Sequence, residues 1–118
     1  MKERMELLCN TGVITPLAFD VTMNASRTLQ IEWGIDLNTD QVQMVMTHFS
    51  RAIVRIEKDE AVSEGLNPDI LEEITSSEVY SEIIRVNLLM CGHCLDLQIP
   101  ATENSFFISN LYSIYLNR

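Results

Sequence analysis

The chain carries few side chains with chemistry of their own: two histidines, His48 and His93, and three cysteines, Cys9, Cys91 and Cys94. His48 stands in the stretch VQMVMTHFSRAIVRI, residues 42–56, where Val42, Val45, Phe49, Ala52 and Ile56 recur at three- and four-residue steps and predict one buried helix face. At roughly 100° per residue, His48 falls about 80° from the centre of that face, with Gln41 and Met44 behind it and Arg55 ahead on nearly the same line. That is a seam beside a neighbouring element rather than the core. An imidazole there titrates near neutrality and is equipped to act as nucleophile, base, metal ligand or phosphoryl acceptor. The plainer reading is an edge histidine hydrogen-bonded to a neighbour.

The second cluster is Cys91-Gly92-His93-Cys94. CGHC spacing is that of a redox dithiol, whose first thiol needs a helix N-terminus to lower its pKa. Here the motif falls late in a predicted helix, follows Met90 rather than a tryptophan, and lacks the strand and βαβ pattern of a thioredoxin-like scaffold. In a helix Cys91 and Cys94 project about 60° apart on the apolar side, as small core residues do. Cys91, His93 and Cys94 with Cys9 or His48 would supply a tetrahedral zinc set, although no second closely spaced ligand pair accompanies them. His93, beside Val86 and Met90, reads more simply as a core-edge histidine. Phosphate-binding glycine loops, nucleophile elbows and HExxH motifs are absent, and the carboxylates are scattered, so the sequence does not predict an enzyme or a cofactor.

Composition narrows the setting. A chain of 118 residues, 47% hydrophobic, buries one core and forms one domain. A net charge of −9 with only eight Lys and Arg argues against direct nucleic-acid binding and for protein partners. No apolar run reaches the length of a membrane span, and an odd number of cysteines without a secretion signal fits reduced thiols in a cytoplasm.

The elements that must position these residues are helical. Residues 1–15 form an N-terminal extension or short helix, and residues 16–118 the domain proper. Thr15 caps and Pro16 opens a helix to Trp33, which Gly34 ends. Asn38 with Gln41 is arranged as a capping box for the His48 helix, Asp40 favours its positive end, and the helix fades over 57–60 where charges accumulate. Asn67 and Pro68 start a short helix to Thr75. Ser77 caps a helix predicted over 78–97, and Gln98-Ile99-Pro100 breaks it. Thr102 caps a last helix to about Leu116, with Glu103, Phe106, Phe107, Asn110, Leu111 and Ile114 on one side. Nothing alternates with period two, so the predicted fold is all-α, a compact bundle of about five helices. The narrow Ala18, Val21, Ala25, Leu29 stripe allows close helix approach and suggests a homodimer.

Read together, these segments resemble the PTS regulation domain (PRD), a helical module through which bacterial antiterminators and transcriptional activators sense the sugar phosphotransferase system. The likeness rests on Asp40 eight residues before His48, the apolar-Arg-apolar ending of HFSRAIVRI, the stretch Asn67-Pro68-Asp69-Ile70-Leu71-Glu72-Glu73-Ile74, Tyr80 on the following helix, and Leu97-Gln98-Ile99-Pro100-Ala101-Thr102-Glu103, which is similar to the family's Ile-x-Leu-Pro-x-x-Glu start of the last helix. It covers roughly residues 16 to 116, as a single stand-alone PRD. The resemblance implies that His48 is phosphorylated by a phosphocarrier protein or a sugar-transporter subunit, that Arg51 and Arg55 reach back toward the phosphoryl group, and that the output controls transcription or antitermination through dimerisation or partner proteins. A second family histidine is expected seven residues after the glutamate, where this chain has Asn110. Asn110 is expected to be buried and to hydrogen-bond within the His48 pocket. The alternatives are a non-phosphorylated helical dimerisation module, and a thiol or zinc protein built on Cys91, His93 and Cys94.

Overall fold

Local capping chemistry sets most helix ends in the structure, a computed structural model describing residues 1–118. Helix α1 spans Lys2–Asn10, nine residues within the stretch 1–15 expected to be an extension or short helix, and it is anchored by the fully buried Met5. Helix α2, Pro16–Trp33, starts with the Thr15 hydroxyl accepting the Ala18 N–H and stops at Gly34, whose φ of 63° puts it in the left-handed region. Helix α3, Asp40–Glu57, is capped by Thr39 accepting the Val42 N–H, one residue beyond the expected Asn38. The Asn38 N–H instead bonds the Asp36 carboxylate. Asp59 closes α3 in a left-handed conformation, φ 57°.

Helix α4, Pro68–Thr75, has the predicted Asn67 cap and Pro68 start. Helix α5 is Tyr80–Cys91, shorter at both ends than the 78–97 expected from the sequence. Ser77 accepts the Val79 N–H but stands outside the helix. At its C-terminal end the chain tightens into a 3-10 turn, Gly92–Cys94, and then reverses at Leu95, φ 54°. The apolar residues Leu95 and Leu97 extended the pattern past the point where the backbone leaves the helix. Helix α6, Ala101–Asn117, starts after Pro100 with no side-chain cap, so Thr102 is its second residue and not its cap.

The expected all-α bundle is what forms, as six α-helices and one 3-10 turn. Helices α2, α3, α6 and α5 make a closed ring, each packed on the next; α1 lies on α2 and α4 on α6. One hydrophobic cluster fills the ring, including Leu29, Met46, Ile53, Ile83, Met90, Leu111 and Ile114. On the Val42 to Ile56 stripe the innermost residues are Val42, Met46, Phe49, Ala52 and Ile53, while Val45 and Ile56 are half-buried, a rotation of the face toward Met46 and Ile53. No helix is long and apolar enough to cross a membrane.

Candidate functional site

Helices α3 and α6 run antiparallel, and two polar contacts fix their register. Near the start of α3, Gln41 Nε2 donates to Ser113 Oγ at 2.9 Å. Near its end, Arg55 donates from Nε and Nη2 to the two carboxylate oxygens of Glu103, both at 2.9 Å. His48 lies midway between these contacts and so comes level with the turn of α6 that carries Phe106 and Asn110. The result is a pocket of about 330 Å³ lined by His48, Phe49, Ala52, Arg55, Glu103, Phe106, Phe107 and Asn110. Tilted packing of Phe49 on Phe107, centroids 4.9 Å apart, makes its floor.

His48 itself is exposed and lines this pocket, so it is open to solvent. Arg55 is half-buried along the wall, and Glu103 is almost wholly enclosed, its side chain 1% exposed. Burial works to raise the Glu103 pKa, but the hydrogen bonds from Arg55 and from the Val62 N–H, with the attraction of the Arg55 charge, outweigh it and hold the carboxyl below its ordinary value. The same pairing holds the Arg55 pKa up. Glu103 therefore does two jobs. It fixes the guanidinium at the pocket, and through the Val62 N–H at 3.2 Å it ties the loop between α3 and α4 to the first turn of α6. Ser105 adds a second tie by accepting the Leu66 N–H, and Gly65 passes so close that a Cβ there would lie 2.8 Å from Ser105 Oγ.

Of the residues singled out in the sequence, His48, Arg55 and Asn110 meet in one pocket, and Arg51 does not. It is exposed and outside the lining, although the next residue, Ala52, is part of it. Asn110 is half-exposed at the pocket wall rather than buried, so water can satisfy its amide, and Arg55 gives its Nε and Nη2 to Glu103 instead of to Asn110. The expected Asn110-centred hydrogen-bond network is replaced by the Arg55–Glu103 pair. Sequence reasoning placed Glu103 on the last helix but did not couple it to Arg55. The available signal was an acid in the first turn of a helix facing an arginine-bearing seam.

The cysteine cluster is built differently from the sequence expectation. Cys91 ends α5 and Cys94 ends the 3-10 turn, so neither is mid-helix. Burial pushes the Cys91 thiol up to about 12 and the Cys94 thiol up to about 11, opposite in direction to a reactive dithiol. Cys91 Sγ donates weakly to Asn87 and Asn104, whose amides join at 2.8 Å across α5 and α6. His93 is half-buried with Nε2 at 2.9 Å from Thr28 Oγ1, the core-edge position expected of it. Nowhere do three His, Cys, Asp or Glu side chains converge in the way a metal ion requires.

No family model matches the chain. Two relatives align along most of its length. An uncharacterized protein of Escherichia coli, YhfY, is 25% identical over 116 residues, which is 98% of this chain and 95% of that protein. An uncharacterized protein of Haemophilus influenzae is 27% identical over 99 residues, 84% of this chain and 78% of its own length. No solved structure matches.

Proposed function

We propose that this chain is a PRD-like regulatory domain in which His48 receives a phosphoryl group from a phosphohistidine of the sugar phosphotransferase system. The observation that carries this reading is the placement of an exposed imidazole on the lining of a pocket whose wall holds a fixed guanidinium, Arg55. In the transfer, a ring nitrogen of His48 attacks phosphorus, the P–N bond to the donor histidine breaks, and a proton passes the other way. No bound cofactor is needed, and the reaction is a modification of this chain rather than a turnover of substrate. Asn110 sits where the family resemblance puts a second histidine, and an amide is not an acceptor in this chemistry, so the domain takes one phosphoryl group.

The consequence follows from charge. A phosphoryl group adds nearly two negative charges and three acceptor oxygens beside a guanidinium already shared with Glu103. It competes with Glu103 for the N–H groups of Arg55. Once Arg55 turns toward the phosphoryl group, Glu103 is left enclosed with the Val62 N–H, a costly arrangement that loosens the tie on the α3–α4 loop. The exposed Met44 and Phe106 flank His48, so the change falls on a surface suited to a second copy or a partner protein. Sedimentation velocity before and after phosphotransfer tests the output. A dimer whose stability shifts on phosphorylation is expected; a monomer indifferent to it would contradict the proposal.

A further inference from the structure

At the other end of the bundle, Trp33, the single tryptophan of the chain, meets Tyr115 edge to face, centroids 4.8 Å apart at 61°. They border a cavity of about 700 Å³ whose wall also carries Glu32, Asp36 and Glu82. The guanidinium of Arg118, just past the end of α6, lies over the Tyr115 ring at 3.9 Å from its centroid. We infer that this cavity is a binding site for a planar organic cation, an alkylguanidinium, and that Arg118, which lines it, covers the Tyr115 face as an internal stand-in.

Three features support that chemistry. The ring face of Tyr115 is already oriented to receive a cation, and a guanidinium stacks there while offering N–H groups sideways to carboxylates, which a compact ammonium does less well. Two of the carboxylates are held by Arg85, which lies outside the lining. Arg85 bridges Glu32 at 2.6 Å and Glu82 at 2.7 Å, and Trp33 Nε1 donates to Glu82 at 3.0 Å. Arg85 and then the indole N–H keep the Glu82 carboxyl charged, with its pKa lowered to about 2. Glu32 Oε2 and Asp36 Oδ2 remain as acceptors, since Arg85 and the Asn38 N–H use the other oxygen of each. Finally, Arg118 is exposed at the helix end, and a tethered group of that kind competes at high local concentration yet is displaceable. The site shares no lining residue with the His48 pocket and does not depend on the phosphorylation reading.

Trp33 fluorescence reports on this cavity directly. Titration with n-butylguanidinium should be saturable, with a Kd of roughly millimolar order, and Arg118→Ala should bind about threefold or more tightly because the competitor is gone. In the Arg118→Ala background, Asp36→Asn and Tyr115→Leu should each weaken binding about threefold or more, and n-butylammonium should bind less well than n-butylguanidinium. Asp36 is exposed, so Asp36→Asn keeps the test valid even where Tyr115→Leu disturbs packing. Comparable binding of N-acetylarginine amide would identify an arginine side chain of a protein partner as the source, and its failure beside a binding butylguanidinium would identify a small free cation. No saturable change, no gain in Arg118→Ala, or equal binding of the ammonium would overturn the assignment.

Discussion

Arg55 and Glu103, 48 residues apart in the chain, meet through two parallel N–H···O bonds of 2.9 Å that lock α3 to the first turn of α6 beside His48. The pair is lopsided: 38% of the Arg55 side chain is exposed against 1% of Glu103. Removing Arg55 strands a buried carboxylate, whereas removing the Glu103 charge leaves a guanidinium that can turn to water. Arg55→Met should therefore destabilise by about 3 kcal/mol and Glu103→Gln by about 1 kcal/mol. Urea unfolding of the two variants checks this, and a larger loss from Glu103→Gln would show that the asymmetry is misread.

The same pair predicts a pH dependence. The Glu103 pKa is depressed on folding, so the stability it contributes is fully present above its ordinary value of 4.5 and is lost as pH falls through the lower folded value. Glu103→Gln should flatten that part of the acid limb. Unfolding free energies of both proteins at about pH 7 and about pH 3 decide it, with identical pH dependence as the contrary result.

Burial also governs the thiols. With pKa values pushed to about 12 and about 11, Cys91 and Cys94 should stay protonated and react slowly with iodoacetamide at about pH 8, then rapidly once the chain is unfolded. Mass spectrometric mapping of the alkylated peptides reads this. Rapid labelling of both in the native protein would restore the redox reading of the CGHC motif.

Asn110 is half-exposed at the wall of the His48 pocket, so Asn110→His should change stability by less than about 1 kcal/mol. On the proposed function it should also create a second phosphoryl acceptor. Thermal unfolding and the stoichiometry of phosphotransfer test the two halves separately, and a variant taking up no more phosphate than the parent would speak against Asn110 marking a former acceptor position.

What the sequence made legible was local. Thr15, Pro16 and Gly34 bound α2, and Asn67 and Pro68 start α4, because capping acts between residues a few positions apart. The end of α5 was hidden because the helix passes into a 3-10 turn, Gly92–Cys94, before reversing at Leu95, while the sequence continues apolar and Gly92 keeps an ordinary helical conformation. At the site, helical phase placed His48 at a seam, but the partner of Arg55 depends on how α3 and α6 align. No spacing rule within one helix reports that. Asn110 was assigned to the apolar face because one helix viewed alone does not reveal where its neighbour stops covering it.

The central claim, that His48 is a phosphoryl acceptor, is tested most directly by incubating the protein with phosphoenolpyruvate, enzyme I and the phosphocarrier protein and locating the phosphate by mass spectrometry under neutral conditions. One acid-labile phosphoryl group on His48, absent in His48→Ala and reduced in Arg55→Met, is the predicted result. An unlabelled protein, or a label that persists in His48→Ala, would contradict it.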